Sequence, residues 1–186
     1  SIPDFILDEK KVLLVLGESG SGKTTFLDIL SGIDKEFNGQ TLINNQNLQQ
    51  LDQNYFAKTV FYLRQDAVIL FDNVLDFMER FEIEERISSK LGINNLEITQ
   101  PLEELSGGQI QRLYLSAALS SKKTLILLDE PTKGLNIDWL ENLSNLIQQS
   151  SDSKKIVICT HDENFKSLLK VKCEKDLLTI NMKKND

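Results

Sequence analysis

The chain has 186 residues, a formal net charge of -7 and two cysteines. This length fits one domain with a small appended subdomain, and the acidic balance argues against nucleic acid, which proteins bind through clustered Lys and Arg. Cys159 and Cys173 are too few and too far apart for a disulfide framework or a CxxC metal site, which favours a reducing cytosolic environment, with a single disulfide as the lesser alternative.

The first predicted elements are a strand, a glycine-rich loop and a helix. Residues 11–16 form a short, continuously apolar run, which is typical of a strand buried on both faces. Residues 24–31 carry apolar side chains at helical spacing, and Gly32 follows as a stop signal. The order of these elements predicts a helix that starts directly at the end of the loop.

The middle of the chain has a different pattern. Residues 40–43 and 59–63 are expected to be strands, separated by a polar surface connection with a little helix. Residues 74–91 carry apolar side chains at roughly helical intervals among charges, and residues 107–119 follow as a further helix. We therefore expect one domain over 1–186, with a small helical subdomain inserted at approximately 74–120.

The last part of the chain returns to strands that alternate with helices. Residues 124–128 and 155–159 are apolar strands, and residues 137–149 form an amphipathic helix between them. Such alternation predicts a parallel sheet that is covered by helices on both sides. No apolar run approaches the roughly 20 residues that a membrane helix needs, so we expect the chain itself to be soluble.

The loop between the first strand and the first helix matches the pattern GxxxxGK[ST]. Glycines let the backbone curl around a phosphate with its N–H groups inward, and the helix N-terminus adds positive potential. Lys23 is expected to reach the β and γ phosphates, and Thr24 to offer its hydroxyl to Mg²⁺. The alternative, a glycine-rich turn without a ligand, fits the matched flanks less well. The predicted nucleotide-binding loop comprises Gly17, Glu18, Ser19, Gly20, Ser21, Gly22, Lys23, Thr24 and Thr25.

Asp129 ends the strand 124–128 and so would emerge beside this loop at the carboxyl edge of a parallel sheet. There it could hold Mg²⁺ or a water ligand of the metal. A carboxylate at the end of a strand is often only solvated, so this residue alone carries little weight. Together with the loop it predicts a fold of the P-loop NTPase class, α/β, with a mainly parallel sheet.

Further motifs separate the kinds of nucleotide hydrolase. The guanine-reading tetrad Asn-Lys-x-Asp is absent, whereas Leu-Ser-Gly-Gly-Gln occupies 105–109 and Leu-Leu-Asp-Glu-Pro-Thr occupies 127–132. With these motifs the sequence strongly resembles the ATP-binding domain of ABC-type ATPases, from about residue 5 to residue 180. The resemblance implies a reduced antiparallel β subdomain beside the parallel sheet and the helical subdomain, and ATP and Mg²⁺ as cofactors.

In that family Leu-Ser-Gly-Gly-Gln is the signature motif, which closes over a nucleotide held by the phosphate loop of a second copy. The resemblance therefore implies an ATP-dependent homodimer or a paired ABC domain. A serine hydroxyl and a helix N-terminus suit a γ-phosphate, although a serine N-cap with glycines before a helix is the plainer alternative. The signature residues that this interpretation assigns to the nucleotide are Ser106, Gly107, Gly108 and Gln109.

Three further residues match catalytic positions of the family. Glu130 is expected to be the general base that polarises the attacking water, rather than a surface acid before a turn. Gln65 matches the glutamine that touches Mg²⁺ or the water and relays contact with a membrane partner, and His161 matches the histidine that contacts the γ-phosphate. Lys23 completes the expected catalytic set, and Thr24, Gln65 and Asp129 complete the expected metal site.

The sequence departs from the family pattern at three places. The adenine-stacking aromatic residue is expected well upstream of the phosphate loop, but the chain starts at Ser1 and Phe5 looks like part of a strand. We expect that the chain is a piece of something longer or has been processed, or that adenine is held more weakly, by about 1–3 kcal/mol. Asn136 stands where the family usually has an aspartate, and the small residues 116–118 replace an arginine.

The leading functional prediction is ATP binding and hydrolysis that powers transport, with the chain on the cytoplasmic side of a membrane. The partner would be a membrane-spanning domain, fused or separate, and residues 68–74 resemble the stretch that meets its coupling helix. Residues 101–104 lack the sequence expected in exporters, so the direction of transport stays open. The alternatives are a soluble ABC-type ATPase acting on ribosomes or chromosomes, and an interaction module without ATPase activity.

Overall fold

A computed structural model describes residues 6–7, 11–65 and 71–182 of the chain. Phe5 and residues 68–70 of the stretch 68–74 lie outside these residues. The strands are β1 Val12–Leu16, β2 Leu42–Ile43, β3 Gln46–Asn47, β4 Val60–Leu63, β5 Leu125–Asp129, β6 Lys155–Thr160 and β7 Leu177–Asn181. The α-helices are α1 Lys23–Leu30, α2 Gln53–Thr59, α3 Val74–Phe81, α4 Glu85–Lys90, α5 Gly107–Ser120, α6 Ile137–Ser150 and α7 Glu163–Lys172. Short 3-10 helices cover Leu48–Gln50, Ile93–Asn95 and Leu102–Glu104.

Five strands form one parallel sheet in the order β4-β5-β6-β1-β7. The register pairs Leu16 of β1 with Thr160 of β6, and Asp129 of β5 with Cys159 of β6. Because parallel strands end at the same edge of a sheet, the loops after β1, β5 and β6 meet there. This edge carries the phosphate loop and Asp129, as the sequence predicted, and Glu130 and His161 follow the strands at the same edge.

The sheet is buried on both faces by two apolar clusters. Leu14 of β1 belongs to the cluster that includes α3 to α7, whereas Leu13 belongs to the cluster under α1 and α2. Both side chains have no exposed surface, and each fully buried leucine contributes roughly 1.5–3 kcal/mol. Continuous burial on two faces explains why β1, β5 and β6 are apolar without alternation.

The long regular elements confirm the sequence predictions. Helices α1, α5 and α6 and strands β1, β4, β5 and β6 lie within one or two residues of the predicted bounds. Residues 74–91 contain the two helices α3 and α4, because Glu82 ends α3 in the left-handed conformation with φ 48°. Helix α7 and strand β7 had not been predicted individually. The bounds of the helical insertion, 74–120, stay a prediction.

The segment between α1 and β4 differs from its prediction. Only residues 42 and 43 of the predicted strand 40–43 pair, with Gln46–Asn47, through a tight turn at Asn44 and Asn45. Both turn residues have positive φ, 51° and 62°, as a type I′ hairpin turn requires. The polar connection also folds into α2, whose Phe56 is buried beside Leu48. This two-stranded antiparallel sheet is the reduced β subdomain.

The two cysteines are not joined by a disulfide. Cys159 lies in β6, Cys173 follows α7, and both are buried free thiols. Burial raises the pKa of the Cys173 thiol to about 11 and raises that of Cys159 still further. Both thiols therefore stay protonated and unreactive at neutral pH.

Candidate active site

The phosphate loop folds as a turn of backbone that only glycine allows at three points. Gly20 and Gly22 have φ of 81° and 91°, where side chains with a Cβ are strained. A Cβ on Gly17 would lie 2.5 Å from the Ser21 Oγ atom and 2.9 Å from the carbonyl oxygen of Met182. The backbone conformation and close contacts of the loop therefore require glycine at these positions even without a ligand.

Lys23 is the first residue of α1 and lies under this turn. Its Nζ atom donates hydrogen bonds to the carbonyl oxygens of Gly17 at 2.7 Å and Glu18 at 3.1 Å, and the residue is 7% exposed. No side chain of the described residues caps the N-terminus of α1, which leaves its first backbone N–H groups facing the loop. An ammonium group and several backbone donors thus surround one concave space.

The donor set of the loop fits a phosphate chain. The Ser21 hydroxyl oxygen is buried and has no hydrogen-bond partner within the described residues. Buried polar atoms are nearly always paired, so an unpaired hydroxyl beside Lys23 and a helix N-terminus indicates a missing polar ligand. An anion with several oxygens would satisfy all three groups.

Thr24 and Asp129 meet at the other end of the loop. The Thr24 hydroxyl donates to Oδ2 of Asp129 at 2.7 Å, and Asp129 is 2% exposed. Burial raises the pKa of the Asp129 carboxyl, the hydrogen bond from Thr24 opposes this, and the nearby Glu130 raises the pKa further. A buried carboxylate with a neighbouring acid gains stability from a bound cation.

This pair fits Mg²⁺ in its donor chemistry. Magnesium prefers hard oxygen ligands and takes one or two carboxylates plus phosphate oxygens and water. Thr24 and Asp129 would hold the ion, and Gln65, exposed just after β4, would contribute its amide oxygen. No cluster of three His, Cys, Asp or Glu residues is found among the residues described.

Glu130 holds an unusual backbone conformation directly after β5. Its φ is 48°, and its N–H donates to the carbonyl oxygen of Cys159 at 2.8 Å. A non-glycine residue in this conformation costs about 1–3 kcal/mol and persists only where its surroundings enforce it. Here the conformation brings the Glu130 carboxylate to the Lys23 ammonium, with Oε1 3.8 Å from Nζ.

The Glu130 carboxylate also contacts His161. Oε1 of Glu130 lies 2.8 Å from Nδ1 of His161, and the His161 backbone N–H donates to Oε2 at 3.4 Å. Glu130 is 8% exposed, whereas the His161 side chain is 77% exposed. A buried acid is therefore paired with an open histidine at the mouth of the site.

An open cleft lies beside these groups. Its volume is about 410 Å³, and Gln65, Glu130 and His161 lie on its wall. The structure thus brings together all the catalytic and metal positions that the sequence predicted: Lys23, Thr24, Gln65, Asp129, Glu130 and His161. Thr25 follows in the first turn of α1 and is exposed, as are Glu18 and Ser19 in the loop.

The signature residues lie elsewhere and are not part of this cleft wall. Ser106 caps α5 and is exposed: its Oγ accepts from the Gln109 N–H at 3.3 Å, while Gln109 Oε1 accepts from the Ser106 N–H at 2.8 Å. Gly108 packs against the backbone of Gly134, since a Cβ there would lie 2.6 Å from the Gly134 carbonyl oxygen. The N-cap interpretation of Ser106 therefore holds within one chain, and Gln109 serves that cap.

Sequence reasoning missed the contacts that hold the signature helix. The Arg112 guanidinium carbon lies 4.1 Å from the ring centroid of Trp139, and its Nη1 donates to the carbonyl oxygen of Leu91 at 2.6 Å. The Gln111 amide donates to the carbonyl oxygen of Pro131 at 3.0 Å in a buried position. These contacts fix α5 against α6 and against the turn after Glu130. The single tryptophan was the only sequence feature that could have indicated them.

Asn136 caps a helix, which explains how an asparagine can stand where the family usually has an aspartate. It is the N-cap of α6, and its side-chain oxygen accepts from the Trp139 N–H at 3.1 Å. Asparagine and aspartate cap helices about equally well. The small residues 116–118 are all buried in α5, where an arginine would not fit without moving its neighbours.

Comparison with known proteins places the chain in a family. A profile described as "ABC transporter" matches residues 2–133. A putative ABC transporter ATP-binding protein of Clostridium tetani is 31% identical over 173 residues, which cover 87% of this chain and 39% of that relative. The lipoprotein-releasing system ATP-binding protein LolD of Treponema denticola is 32% identical over 184 residues, which cover 89% of this chain and 81% of that relative.

A solved structure supports the fold. The dimeric structure of MJ0796, described as a bacterial ABC transporter cassette, superposes with a TM-score of 0.73 at 23% identity, covering 98% of this chain and 86% of that one. The fold and the site define a P-loop ATPase. The chain belongs to the ABC transporter family and is an ATP-binding domain of it, an ATPase that uses ATP and Mg²⁺. It spans 39% of the length of the first relative.

No helix of the described ranges combines the length and the apolar character that crossing a bilayer requires.

Proposed function

We propose that two copies of the chain, or the chain and a paired ABC domain, close on ATP, hydrolyse it and thereby power transport across a membrane. The observation that carries this proposal is the Glu130–His161 contact of 2.8 Å beside Lys23. A carboxylate held between a lysine and a histidine, next to a phosphate-binding loop, suits activation of a water at the γ-phosphate.

The phosphate loop prepares the substrate. Lys23 exchanges the carbonyl oxygens of Gly17 and Glu18 for β and γ phosphate oxygens, and the Ser21 hydroxyl gains the partner that it lacks within the described chain. Bound Mg²⁺ would neutralise negative charge on the phosphates, with Thr24 and Asp129 as the protein ligands and Gln65 near them. The loop thus orients the γ-phosphate towards the cleft of Glu130.

Glu130 then acts as general base. Its carboxylate takes a proton from a water as the water oxygen bonds to the γ-phosphorus, and the bond from that phosphorus to the bridging oxygen breaks, so that ADP leaves with the electron pair. Such a base contributes about 10²- to 10⁴-fold to the rate. His161 orients the carboxylate through Nδ1 and reaches into the open side of the cleft.

The exposed position of Ser106 supports pairing of two copies. An exposed hydroxyl at the N-terminus of a 14-residue helix is open to the γ-phosphate of a nucleotide on a neighbouring copy. Gly107 adds to this, because a Cβ there would meet nothing within 4 Å in the same chain. The backbone at Gly107 is therefore accessible to a ligand that a neighbouring copy would hold.

Coupling to transport is inferred from the relatives and from the surface near α3. One relative is named as a putative ABC transporter ATP-binding protein and another as the ATP-binding protein of a lipoprotein-releasing system, which favours transport over action on ribosomes or chromosomes. Leu75 and Ile98 are exposed apolar residues beside the predicted coupling stretch, whose last part is anchored by Phe71 against Phe77, with ring centroids 5.2 Å apart. A membrane-spanning partner, fused or separate, would dock here from the membrane, with the chain on the cytoplasmic side.

The substitution Glu130→Gln tests the pairing. Ground-state contacts with ATP remain while activation of water is lost, so we expect an ATP-dependent dimer in size-exclusion chromatography and hydrolysis reduced by about 10²-fold or more. The control is Glu141→Gln, which makes the same change on an exposed face of α6 and should behave as the wild type. A Glu130→Gln chain that binds ATP yet stays monomeric at saturating concentration would argue against the proposal.

A further inference from the structure

An ion pair joins the helix of the phosphate loop to the segment that carries Gln65. Asp28 lies on α1 one turn after Thr24, and therefore on the same face of the helix. Arg64 directly precedes Gln65, and its Nη1 lies 3.1 Å from Oδ1 of Asp28. The side chain of Asp28 is 20% exposed and that of Arg64 49%, so the pair sits at the rim of the site.

Tyr62 places a third group in this contact. The Arg64 guanidinium carbon lies 5.6 Å from the centroid of the Tyr62 ring, and the Tyr62 hydroxyl oxygen is buried. Burial raises the pKa of Tyr62, and so do the carboxylates of Asp28 and Asp129. Tyr62, Asp28 and Asp129 thus share one region beside the metal position, and Arg64 is the cation that faces Asp28.

Gln65 itself lies at the surface, on the wall of the cleft. It is exposed, it lies outside β4, and within the described residues it has no hydrogen bond of its own. The Arg64 side chain is therefore the tether nearest to Gln65 that reaches α1. A half-exposed ion pair contributes only about 0–1 kcal/mol to folding, so its main effect is local geometry rather than stability.

We propose that the Asp28–Arg64 ion pair, with Arg64 packed on Tyr62, positions Gln65 beside the Thr24–Asp129 metal site and so strengthens Mg²⁺-dependent nucleotide binding. Arg64 and Asp28 are positioning residues, since they act through Gln65. This inference rests on the proposed function, because it concerns the metal end of the same site.

Positioning and simple electrostatics predict opposite changes in Mg²⁺ binding when Arg64 is substituted. If charge alone mattered, removal of the Arg64 cation would strengthen Mg²⁺ binding, and removal of the Asp28 anion would weaken it. If the pair positions Gln65, both substitutions weaken Mg²⁺ binding, and the double variant is no worse than either single one.

The experiment measures binding of the non-hydrolysable analogue AMP-PNP by calorimetry, with Mg²⁺ and with EDTA, for the wild type, Arg64→Gln, Asp28→Asn and the double variant. A half-exposed ion pair of this strength can change binding by up to about 5-fold, so we expect Mg²⁺ to enhance binding about 3- to 5-fold less in all three variants. Binding in EDTA should stay within about twofold, and thermal stability within about 4 °C, of the wild type. Arg64→Lys, which keeps the charge and loses the flat guanidinium, should recover part of the enhancement.

The control is Lys122→Gln, which breaks an exposed ion pair with Glu82, of 2.6 Å, in the helical region. It should leave binding unchanged. If Arg64→Gln binds with the wild-type enhancement or a larger one, the positioning role is overturned. If the wild type itself shows no Mg²⁺-dependent binding of AMP-PNP, the proposed function fails and this inference fails with it, so the two failures are distinguishable.

Discussion

Nδ1 of His161 lies 2.8 Å from Oε1 of Glu130, and His161 is the only histidine in the chain. Because the histidine is open and the glutamate is buried, the contact links the solvent side of the cleft to the group that would activate water.

The substitution His161→Ala should slow hydrolysis without abolishing nucleotide binding. The ring orients Glu130 but does not contact the phosphate loop through any hydrogen bond of the described residues. We expect the rate constant for hydrolysis to fall by about 10²-fold, while the dissociation constant for ATP changes little. Steady-state kinetics and calorimetry on the same preparation separate the two. A large loss of affinity with an unchanged rate constant would contradict this role.

Lys23→Ala should remove nucleotide binding. The ammonium group is buried among loop carbonyl oxygens, which it would exchange for phosphate oxygens, and each hydrogen bond to a charged group contributes about 1.5–3 kcal/mol. We expect at least about a 100-fold loss of ATP affinity by calorimetry. Lys90→Ala, at the exposed end of α4, is the matched control and should bind ATP as the wild type does. Equal affinity of Lys23→Ala and Lys90→Ala would refute the assigned role of Lys23.

Asp129→Asn should stabilise the nucleotide-free protein and prevent stabilisation by MgATP. Burial raises the pKa of Asp129 above its value in the unfolded chain, so the folded state binds the proton more tightly. The protein therefore loses stability as the pH rises from the pKa of Asp129 in the unfolded chain to its higher pKa in the folded chain. The amide avoids this loss and can still accept from Thr24. We expect a higher melting temperature than the wild type at neutral pH, with the difference shrinking as the pH falls below the pKa of unfolded aspartate.

A melting temperature for Asp129→Asn below that of the wild type at neutral pH would contradict the account of Asp129. The effect of the ligand is a separate test. MgATP should raise the melting temperature of the wild type and leave that of the variant nearly unchanged.

Two adjacent glycines of the signature motif should respond differently to alanine. A Cβ on Gly108 would lie 2.6 Å from the Gly134 carbonyl oxygen, so Gly108→Ala should destabilise the single chain by about 1–3 kcal/mol. A Cβ on Gly107 would meet nothing within 4 Å, so Gly107→Ala should keep the stability of the chain. Urea unfolding of both variants measures this contrast, and equal destabilisation would be the opposing result.

Gly107→Ala nevertheless should weaken the ATP-dependent dimer of Glu130→Gln chains, because the added methyl group lies where a partner-bound phosphate would approach. Size-exclusion chromatography across ATP concentrations detects the shift. A variant that dimerises as readily as its parent would show that no ligand approaches Gly107.

The sequence predicted those parts of the fold and site that are encoded by contiguous residues. The buried strands that end at Gly17 and Asp129 are continuous apolar runs, and parallel pairing then forces their ends to one edge. Helix α2 was predicted only as a little helix without bounds, because its residues are mostly polar and only Phe56 is buried. Contacts between distant residues also escaped prediction, since no local pattern specifies that Asp28 meets Arg64.

The explanation of Gly108 shows the same limit. The motif suggested close approach of a ligand, whereas the structure shows close approach of the Gly134 backbone. A glycine pattern indicates that something lies near the backbone, and only the tertiary structure shows what that neighbour is.

The central claim is that the phosphate loop of one copy faces the signature helix of another, and thiol cross-linking tests it most directly. Ser19 and Ser106 are exposed, while both native thiols are buried, so introduced cysteines at these two positions react selectively. Ser19→Cys and Ser106→Cys chains, both carrying Glu130→Gln, are mixed and treated with a short bis-maleimide. We predict a covalent dimer that forms only in the mixture and only with ATP. An ATP-bound dimer that gives no cross-link in the mixture, or the same yield from either variant alone, would contradict the claim.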